Sequence, residues 1–157
     1  FLISGAPGLQ ERPRVATSTE ATLVAWGDQR VAGNRDVYAA RLDLTAPDPV
    51  LDVDGVLLCG APGKQTGVDI DPVPEGFVIA WQDYRDDVDE LRGDIYSVTL
   101  KVATGQVTPA DGQLMAGNPT NETSVSLALE EGCGVFAYSR RHDDLEADRV
   151  EVRSYRR

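Results

Sequence analysis

Apolar residues in this chain come in short runs, and no stretch of ten residues shows the period of an amphipathic helix. The runs are rich in Val, Ile, Leu and aromatic residues and are bounded by Gly, Pro, Asp and Asn, which is typical of β-strands. Turn signals such as Asp54-Gly55, Thr104-Gly105 and Asp111-Gly112 fall between the runs. The pattern predicts an all-β fold, with strands at about 2–5, 14–18, 22–27, 36–43, 56–60, 67–71, 76–82, 94–101, 113–117, 124–129, 134–139 and 148–156.

Three segments of the chain repeat in the same order. The sequence ISGAPGLQ from Ile3 returns as LCGAPGKQ from Leu58, 55 positions later, and more weakly as MAGNPTNE from Met115. The sequence LVAWGDQR returns as VIAWQDYR and then as VFAYSRRH, and DVYAARL returns as DIYSVTL. Three markers in one order indicate a copied structural unit.

Four short strands in a unit of about 55 residues are typical of a β-propeller blade. We therefore predict one domain over residues 1–157, made of three blades of four antiparallel strands, with repeats at about 1–55, 56–112 and 113–157. In this register, residues 1–5 form the outer strand of a blade whose other strands lie elsewhere. The chain also ends after the third strand of its last blade.

Three blades are fewer than the roughly four to eight that closed propellers use. The chain is therefore expected to be half or part of a larger ring. A second copy could complete a ring of six blades, another chain could supply the missing blades, or the sequence could be a piece of a longer propeller. A true body of three blades is the remaining alternative.

Composition narrows the classes of function. The chain has 157 residues, a net charge of -11 and 41% hydrophobic residues, which is enough for one domain with a core. The acidity and the scattered Lys and Arg argue against nucleic acid as a partner. No run approaches the ~20 apolar residues of a membrane span. Cys59 and Cys133 form no Cys/His cluster, which argues against zinc and favours free thiols over a disulfide.

The repeated polar and aromatic residues are interpreted as a structural motif. A Trp at the end of an apolar strand is interpreted as a core residue that fills the space between blades, in preference to a stacking platform for a ligand. Asp and Arg two positions apart, followed by an Asp at the start of the next strand, can tie a hairpin through charge-assisted hydrogen bonds. In the third repeat the corresponding positions are Arg140, His142 and Asp148. The motif comprises Trp26, Asp28, Arg30, Asp36, Tyr38, Trp81, Asp83, Arg85, Asp94 and Tyr96.

Metal and catalytic chemistry have few candidates. An acidic loop formed by Asp86, Asp87, Asp89 and Glu90 is a weak calcium candidate, because calcium takes hard oxygen ligands from flexible loops. The loop lacks an Asp-x-Asp-x-Asp-Gly pattern, so a solvated surface is the simpler interpretation, and no other cofactor is predicted. His142 is the only histidine and lies in a charged loop, so no catalytic residue is assigned.

The motif W-x-D-x-R, followed by D-V-Y or D-I-Y, resembles the long secreted repeat proteins of bacteria, including myxobacteria. The resemblance covers nearly the whole chain and is weakest in the third repeat. It implies a β-propeller of secreted or cell-surface proteins. We predict a non-catalytic scaffold or binding module that engages a protein or glycan through its blade loops. The alternative is a carbohydrate-active enzyme domain with carboxylates at the mouth of the propeller channel.

Overall fold

The computed structural model describes residues 1–87, 89, 91–131, 133–142 and 146–156, and over these residues its regular elements are all β-strands. The strands form three antiparallel sheets, which confirms the predicted all-β fold. The first sheet contains β1 (Gln10–Thr17), β2 (Thr22–Asp28), β3 (Asp36–Leu42) and β4 (Val56–Cys59). The second contains β5 (Gln65–Val73), β6 (Gly76–Asp83), β7 (Asp94–Lys101) and β8 (Val107–Ala116). The third contains β9 (Glu122–Glu130), β10 (Cys133–His142) and β11 (Ala147–Arg156).

Within each sheet the strands lie side by side in chain order. Trp26 and Trp81 thus lie on the second strand of their sheets, and Tyr38 and Tyr96 lie on the third. The third sheet has three strands among the described residues. Two sheets thus have the four strands predicted for a unit, and the third has the three strands that were predicted for it within this chain; no segment of the described chain pairs with the outer edge of β11.

The sheets pack face to face in sequence. Side chains alternate between the two faces of a strand, so each sheet can contact a neighbour on either side. Leu23 of β2 belongs to the same buried cluster as Phe77 and Ile79 of β6. The opposite face of β6 carries Val78, which is buried with Phe136 of β10. The first strands also adjoin, since β5 contacts both β1 and β9. The second sheet thus packs on the third as the first sheet packs on the second.

Several predicted strand boundaries are corrected. Residues 2–5 do not form a strand; instead the Ile3 carbonyl accepts a hydrogen bond of 3.0 Å from the Asp54 amide. β1 starts before the predicted residue 14, because a bulge between Glu11 and Arg14 accommodates Pro13. β8 starts well before the predicted residue 113 and continues through Asp111-Gly112, which was predicted to be a turn.

Among the residues that the structure describes, no helix has the length and apolar character needed to cross a membrane.

Candidate functional site

The repeated polar residues of the first sheet form one hydrogen-bonded tie at the end of β2. The Trp26 indole Nε1 donates to Asp28 Oδ2 over 2.9 Å. The Arg30 guanidinium donates to both oxygens of Asp28, at 3.0 and 2.7 Å, and its carbon lies 3.7 Å from the centre of the Tyr38 ring. The Asp28 side chain is fully buried. Burial alone would raise the pKa of Asp28, but the hydrogen bonds from Arg30 and Trp26 outweigh it and lower that pKa.

The third member of this tie is a backbone group. Arg30 Nη2 also donates to the Asp54 carbonyl over 2.7 Å, which joins the end of β2 to the turn before β4. Asp36 lies close by, but its carboxylate accepts a hydrogen bond of 2.7 Å from the side-chain amide of Asn34. The tie therefore uses Asp, Arg and a carbonyl, where the sequence suggested Asp, Arg and a second Asp.

The second sheet repeats the tie. The Trp81 indole donates to Asp83 Oδ2 over 2.8 Å. Arg85 Nη2 donates to the same oxygen over 2.6 Å and to the Asp111 carbonyl over 2.7 Å. The guanidinium carbon lies 3.9 Å from the centre of the Tyr96 ring. Each contact matches one in the first sheet.

Two glycines let the backbone approach the indole ring. Asp54 and Gly55 both have positive φ, at 63° and 80°, as do Asp111 and Gly112 at 56° and 86°. A Cβ on Gly55 would lie 2.6 Å from Trp26 Cη2, and a Cβ on Gly112 would lie 2.7 Å from Trp81 Cη2. The turn predicted at Asp54-Gly55 is confirmed and that at Asp111-Gly112 is wrong, and the role of both pairs in the tie was missed. The recurrence of an Asp-Gly pair in two repeats could have indicated this role.

The third sheet replaces the tie with a different network. Tyr138 takes the place of Trp, and its hydroxyl donates to Glu151 Oε2 over 2.8 Å. Arg140 Nη1 donates to Glu151 Oε1 over 3.2 Å, and His142 Nε2 lies 3.1 Å from the same oxygen. The Arg140 guanidinium also lies 3.5 Å from Glu122 Oε1. The only histidine of the chain is thus one member of a charged network.

The register corrects the assignment of the third repeat. Asp28 pairs with Asp36 across β2 and β3, and Asp83 pairs with Asp94 across β6 and β7. The equivalent residue Arg140 pairs with Arg149, whereas Asp148 pairs with Arg141. Arg149 therefore takes the position that the sequence assigned to Asp148.

The residue at the start of the first strand of each sheet, β1, β5 or β9, changes together with the residue that it faces. Gln10 pairs with Asp28, and Gln65 pairs with Asp83. In the third sheet, Glu122 pairs with Arg140. The neutral and acidic pair of the first two sheets has become an acidic and basic pair, so the buried position keeps a polar partner.

Glu122 also faces a second carboxyl group across the junction of two sheets. The Glu122 side chain is fully buried, and its Oε1 accepts from the Asn118 amide over 3.1 Å. Its Oε2 accepts no hydrogen bond from any residue that the structure describes. Burial and the neighbouring Asp94 carboxylate raise the pKa of Glu122, and burial raises the pKa of Asp94. This carboxyl pair, Asp94 and Glu122, has no counterpart between the first and second sheets, where Gln65 stands in place of Glu122.

The described carboxylates of the candidate calcium loop, at Asp86, Asp87 and Asp89, do not come together in a site. Asp87 Oδ2 accepts from the backbone amide and the guanidinium of Arg92, at 2.8 and 3.2 Å. Asp86 lies 3.4 Å from the Tyr96 hydroxyl. Within the described part of the chain, no three His, Cys, Asp or Glu side chains could hold a metal ion together. Glu90, the fourth predicted ligand, lies outside the described residues.

Both cysteines are free thiols in the structure. Cys59 is buried beside the second tie, where Arg85 Nη2 approaches its sulfur to 3.2 Å. Burial raises the pKa of the Cys59 thiol to about 12. A thiol with so high a pKa is a poor nucleophile at neutral pH, which favours a packing role. Cys133 is exposed at the start of β10.

Polar side chains also line a groove at the end of the sheets where the ties lie. The groove runs between the loop that joins β2 to β3 and the segment that precedes β5. Lys64 lies on one side of it, with its ammonium nitrogen 5.5 Å from the centre of the Tyr84 ring. Amide, guanidinium and ammonium groups of this kind can bind the hydroxyl groups of a sugar or the carbonyls of a peptide. The groove is lined by Gln29, Gly33, Asn34, Arg35, Gly63 and Lys64.

No protein-family model matches the chain, and no curated protein matches its sequence. Among solved structures, the chain is similar to the crystal structure of alpha-L-arabinofuranosidase from Lactobacillus brevis, with a TM-score of 0.54 and 13% sequence identity. The similarity covers 93% of this chain and 52% of that chain, so this chain spans about half the length of the enzyme. At this identity, the likeness concerns the fold alone.

Proposed function

We propose that the chain is a non-catalytic scaffold or binding module of a secreted or cell-surface bacterial protein. The module holds a glycan or a protein in the polar groove at the end of its sheets. The assignment to secreted and surface proteins rests on the resemblance of the W-x-D-x-R repeats to bacterial proteins of that class.

One observation carries this proposal: the conspicuous polar residues recur in equivalent contacts and are used internally. Asp28 and Asp83 each accept from a Trp and an Arg within their own sheet. Each Arg is also held by a backbone carbonyl and an aromatic ring. A catalytic centre needs groups that converge on one reacting atom. Groups that are satisfied in the same way in successive repeats serve the architecture of the unit instead.

A glycan array followed by titration calorimetry tests the binding function. We expect a ligand whose affinity falls at least about tenfold in Lys64→Glu, because the substitution reverses the charge of a groove side chain. Lys101→Glu is the matched control, since Lys101 ends β7 at the opposite end of the sheets. Binding that is unchanged in Lys64→Glu would remove the groove from the proposal. Robust turnover of a glycoside that one Asp or Glu substitution abolishes would overturn the non-catalytic function.

A carbohydrate-active enzyme is the second candidate. Two observations favour it: the fold is similar to that of an arabinofuranosidase, and the Asp94 and Glu122 carboxyl pair breaks the symmetry of the repeats. Glycoside hydrolases hold their two carboxyl groups about 5 to 9.5 Å apart. The Glu122 side chain is fully buried, so it is not placed to meet a substrate, and the binding module is the better supported function.

Hydrolysis of chromogenic glycosides, including 4-nitrophenyl α-L-arabinofuranoside, separates the two candidates. The binding module predicts no turnover above the uncatalysed rate. The enzyme predicts turnover that is lost in both Asp94→Asn and Glu122→Gln and retained in Glu20→Gln, which changes an exposed side chain.

A further inference from the structure

A contact that joins the first sheet to the second is repeated by residues 1–5 at the open side of the first sheet. The Gly60 amide, just after β4, donates to Asp111 Oδ1 of the second sheet over 3.1 Å. The Gly5 amide donates to Asp54 Oδ1 of the first sheet over 2.8 Å. Residues 1–5 therefore lie on the first sheet in the way that the outer strand of the first sheet lies on the second.

The next residues extend this equivalence. The Gln29 amide donates to the Leu9 carbonyl over 2.9 Å, and the Tyr84 amide donates to the Lys64 carbonyl over 3.0 Å. In the third sheet, the Arg141 amide donates to the Asn121 carbonyl over 3.0 Å. The segment that precedes β1 thus has the position of a segment arriving from a preceding sheet, although its first residues pair with no strand of the described chain.

The third sheet exposes an apolar face where such a neighbour would pack. Phe136 and Tyr138 of β10 point towards the second sheet, so the alternate residues point outwards. Val150 and Val152 of β11 share that outward face and are 75% and 59% exposed. The central part of the face is made of small or apolar side chains without charge, namely Ser126, Ala128, Val135, Ala137, Val150 and Val152.

The first sheet exposes a matching face at the other side of the stack. Val15 of β1 pairs with Val24 of β2, and Val15 is 66% exposed. Phe1 and Leu2 are 79% and 77% exposed beside it, and together with Val24 and Trp26 they line an apolar pocket. Equivalent positions of the second sheet, such as Phe77 and Ile79, are completely covered by the first sheet.

We infer that two copies of the chain join head to tail into a closed ring of six sheets. The third sheet of each copy packs on the first sheet of the other, as the first packs on the second within the chain. Residues 1–5 of one copy pair with β11 of its partner and form the fourth strand of that sheet. Six sheets lie within the range of four to eight blades in closed propellers. The closed ring leaves neither the β11 edge nor the two apolar faces exposed.

The register of this added strand follows from the first sheet. Val37 of β3 pairs with Cys59 of β4. Val150 has the position of Val37, because each lies opposite the residue that follows the aromatic residue of the preceding strand. Ser4 precedes Cys59 by the repeat length of 55. Ser4 of one copy should therefore lie beside Val150 of the other.

Light scattering of the 157-residue chain tests the ring. We expect a mass of twice 16.9 kDa, and we expect Val152→Glu to weaken dimerisation by about 100-fold or more, because it buries an unpaired charge in the interface. Leu44→Glu is the control, since Leu44 is 62% exposed in the turn after β3, away from both faces. A monomer at every concentration, a dimer that survives Val152→Glu, or open-ended polymers would overturn the ring.

A designed disulfide tests the register and does not depend on how Val152→Glu folds. In a Cys133→Ser background, Ser4→Cys combined with Val150→Cys should form a covalent dimer under mild oxidation. Ser4→Cys combined with Leu44→Cys should not. Absence of cross-linking in the first pair, or equal cross-linking in both pairs, would contradict the proposed pairing of residues 1–5 with β11.

Discussion

At the scale of single residues, the large indole ring of each of the first two repeats requires a glycine beside it. Gly55 and Gly112 lie against the indole rings of Trp26 and Trp81, in a backbone conformation that L side chains rarely adopt. The backbone can then come close enough for the carbonyl of the preceding Asp to accept a hydrogen bond from Arg30 or Arg85. A glycine, a tryptophan and an arginine thus act as one unit although they are distant in sequence.

Gly112→Ala should destabilise the chain more than Gly33→Ala. The two glycines have nearly the same φ, 86° and 83°, so both substitutions carry a backbone cost of about 1–2 kcal/mol. A Cβ at Gly112 would also lie 2.7 Å from Trp81, whereas a Cβ at Gly33 would contact nothing within 4 Å. We expect this clash to add about 1–3 kcal/mol. Urea denaturation measures the difference, and equal losses in the two variants would contradict the packing of Gly112 on the ring.

Trp81→Ala should cost about 3–5 kcal/mol, as for other truncations of large buried side chains. The ring is completely buried in the cluster between the first and second sheets, and its indole nitrogen is bonded to Asp83. Val53→Ala is a suitable control because Val53 is 73% exposed. If denaturation of Trp81→Ala matched that of the wild type, the indole would not be part of the core.

At the scale of elements, strand type and order could be predicted from the sequence, and the ends of strands could not. Apolar alternation located the centres of β2, β3, β6 and β7 because these strands are buried on one or both faces. Pro and Asp-Gly were interpreted as breaks, yet β1 and β8 continue through them at bulges. Residues 2–5 have strand-like composition, but a strand also requires a paired neighbour, which composition alone does not reveal.

In the candidate site, too, some groups could be predicted from the sequence and others could not. The Trp, Asp and Arg of the tie were evident from their recurrence. The Asp54 and Asp111 carbonyls were not, because a backbone acceptor leaves no trace in the residue type. Glu122 was missed because it differs from Gln65 by a single functional group, and its role depends on Arg140, its partner on β10, and on Asp94 of the neighbouring sheet.

Glu122→Gln should flatten the dependence of stability on pH. Burial raises the pKa of Glu122 in the folded chain, so the folded state binds more protons than the unfolded state at a pH above the ordinary value of 4.5. The stabilisation from the protonated carboxyl is present below that pH and is lost as the pH rises through the raised pKa. Arg140 opposes this loss in part, and the carboxylate of Asp94 adds to it.

Urea denaturation from pH 4.5 to 8 measures this effect. We expect the stability of Glu122→Gln relative to the wild type to increase with pH, because Gln cannot lose a proton and therefore places no negative charge in this buried position. Glu20→Gln serves as the control, since Glu20 is an exposed side chain. Parallel curves for wild type and Glu122→Gln would mean that the pKa of Glu122 is not raised in the folded chain.

At the scale of the whole molecule, three sheets make two complete junctions and leave two faces uncovered. The two buried clusters lie at the two junctions, which gives the second sheet a neighbour on each side. The first and third sheets each have one neighbour within the described chain. The proposed ring follows from this difference, and its test by light scattering and cross-linking belongs to this scale.

The central claim is that one sheet unit is built at least twice with the same internal tie. Hydrogen exchange of the two indole N–H groups, followed by NMR, tests it most directly. We expect both signals to exchange slowly, since both groups donate to buried carboxylates, and we expect each ring to show a nuclear Overhauser effect to the α protons of its own glycine, Gly55 for Trp26 and Gly112 for Trp81. Rapid exchange of either indole, or contact of a ring with neither glycine, would contradict the account.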